Sequence, residues 1–268
     1  MSLLTRRHVL AFIAGSTVGA SSRSFAQTRE LQLKLLDAGS EPVGLPAGDI
    51  SGTGPLRIGM RLTEARDAIA KYGVQPSETP ERTPPVENVR SAPFVRSLSF
   101  RHEGSDGTKE KTTLDFTSPV SGARLYAIER EITYGGRLDF NEARQSLLRR
   151  YAPNGQPTQL SETPPYSFTL VQVFSGGRAV NQRTAENAPH LRGCMWPGFH
   201  NVSAYDPESV REAKGQWGCG GAIRAQLGTG NIKLLIVDMD LMYADRVAAY
   251  EFMKREVPRL PSGRTGIN

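Results

Sequence analysis

Residues 123–151 combine the two hydrophobic periods that distinguish a strand from a helix. In 123–134 the larger apolar residues share one parity, as in a strand with one buried face: Tyr126, Ile128, Ile132 and Tyr134. After a Gly-Gly turn the spacing changes to three and four residues, at Phe140, Ala143, Leu147 and Tyr151. Asp139 is a suitable N-cap for the helix that this spacing predicts. We therefore predict a strand, a tight turn and a helix.

The same periods predict elements on both sides of this unit. Helices are predicted for residues 63–72 and 244–256, and strands for 94–100, 114–116, 167–174, 222–227 and 232–241. The Pro-rich stretches 75–93 and 152–166 are predicted to be connections. The order is a helix followed by antiparallel strands, twice over, with a further terminal helix.

This order predicts an α+β fold in which helices pack on one face of an antiparallel sheet. We divide the chain into a leader, residues 1–26, and two similar helix-plus-meander modules, residues 27–151 and 152–268. A single continuous domain is the alternative. The repeated Glu-Ala-Arg triplets that begin at Glu64 and Glu142 suggest an internal duplication.

Residues 1–26 have the features of an export signal. Arg6 and Arg7 lie in a run that resembles the bacterial twin-arginine motif, and an apolar segment follows them. That segment is shorter than the roughly 20 apolar residues that a membrane span needs. We predict cleavage before Gln27 and a periplasmic location, with the twin-arginine machinery as the transport partner and no stable membrane anchor. An uncleaved anchor or a general secretory signal is the alternative.

The charge pattern does not favour a nucleic-acid partner. The chain has 33 Lys and Arg residues against 27 Asp and Glu, a net charge of +6. Arg6, Arg7 and Arg23 would leave with the signal, and what remains contains no basic run. We therefore expect an unknown periplasmic protein or a small ligand as the partner.

Cys194 and Cys219 are the two cysteines of the chain, and an oxidising compartment favours a disulfide between them. The glycines on both sides of Cys219 would let the backbone approach the bridge closely. Cys219 as a nucleophile beside a histidine is an alternative, and so is redox chemistry, although no C-x-x-C motif is present.

A zinc site is the other hypothesis for this region. His190, Cys194, His200 and Cys219 are residue types that bind Zn²⁺ tetrahedrally, but their spacing matches no usual zinc finger. The sequence contains no haem, iron–sulfur or multi-histidine copper motif. We predict a disulfide, no metal and no cofactor.

Two pairs of carboxylates are placed two positions apart on predicted strands, Glu129 with Glu131 and Asp238 with Asp240. Residues two apart on a strand share a face, so each pair could flank a scissile bond or hold a divalent ion. The simpler interpretation is a solvent-facing side of a sheet with Arg or Lys partners on neighbouring strands. Asp238 and Asp240 are the candidate catalytic residues.

Trp196 and Trp217 lie close in sequence to the two cysteines. Together with Phe199 and Tyr205 they could line a ligand groove. Packing of the same aromatic rings on the disulfide is the alternative.

Residues 56–65 resemble the G-M-x-x-x-E opening of small envelope modules with SmpA/BamE-like and beta-lactamase-inhibitor-protein-like folds. Gly59, Met60 and Glu64 carry the resemblance. It implies a non-enzymatic binding or assembly scaffold built from helices on an antiparallel sheet. The outer-membrane assembly members carry a lipidated cysteine that this chain lacks, so that particular role is not implied.

The sequence contains no G-x-S-x-G, H-E-x-x-H, P-loop or dinucleotide-binding motif. The first hypothesis is therefore a soluble periplasmic binding or interaction protein without catalytic chemistry. The alternative is an envelope hydrolase that uses Asp238 and Asp240, with or without a metal.

Overall fold

The structure, a computed structural model, describes residues 29–35, 44–46, 48–152, 156–163, 167–194 and 203–259. The helices in these ranges are α1 Leu62–Ala70, α2 Phe140–Tyr151, α3 Gln182–Asn187, α4 Pro189–Gly193, α5 Pro207–Trp217 and α6 Met239–Glu256. The strands are β1 Arg29–Leu31, β2 Gly52–Thr53, β3 Leu56–Arg57, β4 Ser77–Glu81, β5 Val89–Ser91, β6 Phe94–Glu103, β7 Lys109–Phe116, β8 Leu125–Thr133, β9 Gln159–Thr163, β10 Ser167–Ser175, β11 Arg178–Val180, β12 Gly221–Leu227 and β13 Asn231–Asp238.

Nine of the described strands form one antiparallel sheet in the order β11-β10-β12-β13-β8-β7-β6-β4, with β9 on the same side of β10 as β11. The central pair is β8 with β13, which aligns Ile128 with Ile236. Strands from both predicted halves of the chain therefore belong to the same sheet. The predicted α+β class with an antiparallel sheet is confirmed.

The two halves repeat one order of elements, a helix followed by four strands of the sheet. The first half contains α1, β4, β6, β7 and β8, and the second contains α2, β9, β10, β12 and β13. The second half carries an insertion between β10 and β12, which includes β11, α3, α4 and α5. The last strands of the two halves pair with each other at the centre of the sheet.

Helices α1 and α2 pack on one face of the sheet. The predicted N-cap of α2 is confirmed, since the Asp139 side chain accepts a hydrogen bond from Glu142 N at 2.9 Å. Leu147 and Tyr151 of α2 join Ile128 and Ile236 in the core on this side. Each large apolar side chain that is fully buried there stabilises the fold by roughly 1.5–3 kcal/mol.

The other face is also covered in part, which corrects the expectation that helices lie on one face only. Ala127 and Val237 point to this second side and pack in a cluster that includes Met242 of α6. Neighbouring residues of β8 and β13 are therefore buried on opposite faces, as in strands between two layers of helices. The inserted helices α3, α4 and α5 contribute to this second layer.

No helix within the described ranges combines the length and the apolar character that a membrane span requires.

Candidate functional site

Asp238 and Asp240 are placed differently from the prediction, because β13 ends at Asp238 and α6 begins at the next residue. The Asp238 side chain caps α6 by accepting a hydrogen bond from Leu241 N at 2.8 Å. The Asp240 carboxylate forms an ion pair with Lys214 at 2.9 Å, at the surface. The predicted strand over 232–241 was therefore too long, and the two acids do not share a strand face.

Asp238 is fully buried, with 0% of its surface exposed. Burial raises the pKa of its carboxyl group to about 6, although the backbone amide of Leu241 acts in the opposite direction. A polymeric substrate cannot reach this carboxylate in the described arrangement. Asp238 is therefore the last residue of β13 and the N-cap of α6.

We expect the stability that Asp238 contributes to depend on pH between about 4 and 6. Its folded pKa of about 6 lies above the unfolded value of about 3.9, so only the folded state binds the proton in this window. Stability thus rises as the pH falls. Asp238→Asn keeps the helix cap but cannot bind the proton. The free energy of unfolding of the wild-type protein, relative to that of this variant, should therefore increase by about 1 kcal/mol when the pH is lowered from 7 to 5.

Denaturant unfolding at the two pH values measures this difference. Asp206→Asn is the control, because Asp206 caps α5 in the same way but hydrogen bonds from Ser209 lower its pKa. The difference in free energy of unfolding between the wild-type protein and Asp206→Asn should not change between pH 7 and pH 5. If the difference between the wild-type protein and Asp238→Asn is also independent of pH, the raised pKa of Asp238 is contradicted.

Cys194 and Cys219 form the predicted disulfide, with Cα atoms 6.2 Å apart. Both cysteines are buried, and the bridge joins the end of α4 to the loop between α5 and β12. Within the described ranges, no group of three or more His, Cys, Asp or Glu side chains is placed to hold a metal ion. His200 of the zinc hypothesis lies outside those ranges.

The predicted ligand groove falls largely on residues that the structure does not describe. Trp196 and Phe199 lie outside the described ranges, as do the signal residues Arg6 and Arg7, and the Trp217 side chain is not described. Tyr205 is described and buried, but it belongs to a cluster of charged side chains that the sequence did not predict.

Two β-bulges create this cluster. Thr79 pairs with Ser97 and Pro80 pairs with Val95, which leaves Arg96 as the extra residue of β6. The pairing between β7 and β8 likewise skips Tyr126. Bulges redirect side chains. Here they bring the Arg96 guanidinium to 4.7 Å from the centre of the Tyr126 ring, where it also donates a hydrogen bond to the hydroxyl.

Glu81, at the end of edge strand β4, joins this pair to α6. Its carboxylate forms ion pairs with Arg96 and with Arg246, both at 2.9 Å, and accepts a hydrogen bond from the Tyr205 hydroxyl at 2.9 Å. Burial lowers the pKa of Arg96, and the charge of Arg246 lowers it further. The side chain of Arg246 is only 3% exposed. We name these residues, Glu81, Arg96, Tyr126, Tyr205 and Arg246, the Glu81 cluster and interpret it as an internal connection between the sheet and α6.

A polar surface remains on the part of the second sheet face beyond α6. Six strands contribute directly opposite residues to one cross-strand row, which we name the outer row: Arg101, Lys111, Glu131, Lys233, Gln226 and Thr169. Glu131 and Lys233 of this row are an even number of positions from Ala127 and Val237 on the same strands. The outer row therefore lies on the face that α6 covers elsewhere in the sheet.

A second row lies between the outer row and Ala127, and in it Glu129 is exposed and Thr113 is half-buried, whereas Leu235 and Val171 of the same row pack in the apolar cluster that includes Met242. The outer row together with Glu129 and Thr113 forms what we name the uncovered face.

Cross-strand pairing of charges on this face was predicted and is present. The Lys233 ammonium lies 3.0 Å from the Glu131 carboxylate on the neighbouring strand. Glu131 is thus part of a polar sheet surface, as the simpler interpretation proposed.

Basic residues concentrate at one corner of the uncovered face, at the loop end of the β6–β7 hairpin. Arg101, Lys109 and Lys111, which we name the cationic corner, are all exposed. They line an open cavity of about 650 Å³ together with Glu103 and Glu131 on the same face and with Glu110, whose carboxylate is bound by Arg130 at 2.7 Å. The hairpin loop 104–108 bounds this region, and its backbone packs closely against Gly135.

Comparison with protein-family models, with curated proteins and with solved structures found no match for this chain.

Proposed function

We propose that this protein is an extracytoplasmic binding protein that docks a partner protein on the uncovered face and performs no catalytic chemistry. The observation that carries the proposal is the uncovered face itself. Six adjacent strands present polar and charged side chains there in the outer row, with Glu129 and Thr113 beside it, while helices cover both sheet faces elsewhere.

The architecture around this face supports a scaffold role. Helices pack on both sides of the sheet, and the buried disulfide and the Glu81 cluster hold the surrounding elements together. The side chains of the uncovered face are therefore held at defined spacings. A rigid surface of this kind loses little conformational entropy when a partner binds. The resemblance of residues 56–65 to envelope binding modules and the twin-arginine-like leader agree with the proposal.

The hydrolase alternative receives less support from the described residues. Asp238 is fully buried and caps a helix, and Asp240 is bound by Lys214. Paired carboxylates for glycoside hydrolysis must flank a bond of the substrate. We therefore place the function on the sheet face.

Site-specific photo-crosslinking in cells that export the protein tests the proposal. A crosslinking amino acid at Glu129, in the centre of the uncovered face, should give a discrete adduct with another protein. The same amino acid at Arg149, which is exposed on α2 over the opposite face, is the control and should not. Equal adducts from both positions, or none from Glu129, would contradict a docking role for this face.

A further inference from the structure

We propose that the cationic corner binds an acidic segment of the partner protein, so that Asp or Glu side chains occupy the cavity lined by Arg101, Lys109 and Lys111. This inference rests on the proposed function and adds the chemistry of the partner.

The first observation is an unfavourable pairing of like charges. Arg101 lies directly opposite Lys111 in the antiparallel pair of β6 and β7. Like charges at directly opposite positions destabilise a sheet. Among the described residues, no carboxylate lies within ion-pair distance of either side chain. The chain thus keeps two cations side by side that nothing in the described fold requires.

The carboxylate directly opposite Lys111 on β8 is already engaged. Glu131 is opposite Lys111 on the other side, but its carboxylate is bound by Lys233 at 3.0 Å. Lys109 is opposite Glu103, yet these two side chains also form no ion pair within the described structure. Three carboxylates line the cavity of about 650 Å³ with the three cations, but Arg130 binds Glu110 and Lys233 binds Glu131, so Glu103 is the one lining carboxylate that no ion pair engages within the described structure. A bound carboxylate would offset the repulsion between Arg101 and Lys111.

The acids around the corner favour a protein over a uniform polyanion. Glu103, Glu129 and Glu131 lie on the same face as the cations. A nucleic acid, a polyphosphate chain or an anionic membrane would bring phosphates against these carboxylates. A protein surface can place acids at the corner and basic residues opposite the glutamates, which is the complementarity that docked proteins use.

The backbone gives the same indication. Amide groups that bind phosphate are usually free, at a helix N-terminus or in a loop nest. Here Lys109 and Lys111 lie on β7 between β6 and β8, and Arg101 pairs with Lys111, although the pairing of β4 with β6 ends at Ser99. The corner is neither a helix N-terminus nor a loop nest, so its side chains provide the contacts. Side chains of Arg and Lys suit the carboxylates of an extended or helical acidic segment.

Binding of a fluorescent poly-glutamate peptide to the intact protein tests the inference by anisotropy at low and at high salt. The peptide has about four residues, so that it can occupy the corner without extending over the glutamates around it. Arg101→Glu should weaken binding by about tenfold or more, since loss of a close charge pair and gain of a repulsion exceed the energy of one decade. The same change should raise the denaturation midpoint, because the new carboxylate would lie opposite Lys111. Weaker binding together with higher stability cannot come from misfolding.

Arg149→Glu is the matched control, with the same charge change on the exposed surface of α2, and should leave peptide binding within about twofold apart from the general loss of net charge. Inorganic polyphosphate and vesicles of anionic phospholipid are the competing probes. The inference is overturned if either binds more tightly than poly-glutamate, if poly-glutamate does not bind, or if Arg149→Glu weakens binding as much as Arg101→Glu. Self-association that Arg101→Glu abolishes would identify a second copy of the chain as the occupant instead.

The crosslinking experiment separates this inference from the proposed function. If the adduct formed from Glu129 persists unchanged in the Arg101→Glu variant, the face docks a partner but the corner does not recognise acids. If no adduct forms in the wild-type protein while poly-glutamate binds at the corner, the acidic specificity stands and the docking function fails.

Discussion

Replacing Glu81 with Gln is expected to lower the free energy of unfolding by about 3–5 kcal/mol. Glu81 is the carboxylate that both Arg96 and Arg246 contact at 2.9 Å. Without its charge, two guanidinium groups would face each other, and that of Arg246 is almost completely buried. The cost arises from leaving a buried cation without its partner.

Glu78→Gln is the matched control for this prediction. Glu78 lies on the same edge strand and forms an ion pair with Arg66, but both side chains are about 40% exposed. A surface pair of this kind contributes roughly 0–1 kcal/mol. Denaturant unfolding of the two variants should therefore differ by several kcal/mol. Equal losses in the two variants would show that the Glu81 cluster is not a buried connection.

Removing the disulfide is expected to have the second large effect. The bridge closes a loop of 25 residues between Cys194 and Cys219, for which the chain-entropy argument gives roughly 3 kcal/mol. A Cys194→Ala/Cys219→Ala variant should lose about 2–5 kcal/mol of unfolding free energy.

Reduction provides the control for this second prediction. A reducing agent should lower the stability of the wild-type protein and leave the double alanine variant unchanged. Wild-type protein that unfolds at the same denaturant concentration with and without the reductant would contradict a stabilising role for the bridge. Intact mass would show the oxidised form as two hydrogens lighter than the dithiol.

The hydrophobic periods predicted the elements that have one clear apolar face. Helix α2 follows the predicted spacing of three and four because Leu147 and Tyr151 pack on the sheet, and Asp139 caps it as expected. β8 follows the predicted parity at Ile128 but not at Tyr126, which is a bulge residue and packs in the cluster on the opposite face. These features depend on local sequence, so they can be derived without knowledge of pairing partners.

The end of β13 could not be predicted from the period alone. Met239 and Leu241 continue the alternation of the strand, but the Asp238 side chain and the Gly220 carbonyl capture the amides that open α6. The Gly220 carbonyl is supplied by a distant loop. Long-range hydrogen bonding therefore decided the boundary between strand and helix.

The Glu81 cluster and the cationic corner depend on register. No sequence signal shows that Arg96 and Tyr126 are bulge residues, because a bulge is defined by the strand opposite. The same holds for Arg101 and Lys111, whose opposition is visible only once β6 and β7 are aligned. The sequence suggested charged pairs across strands, but the partners came from the fold.

The most direct test of the account is lysine labelling of the protein in the cells that produce it, compared with labelling of the purified chain. If a partner docks on the uncovered face, Lys109, Lys111 and Lys233 should be protected from an amine-reactive reagent in cells and labelled in the purified protein. Lys71 and Lys254, which are exposed outside this face, should react equally in both. Equal labelling of all five lysines in both samples would contradict the claim that this sheet face is a binding surface.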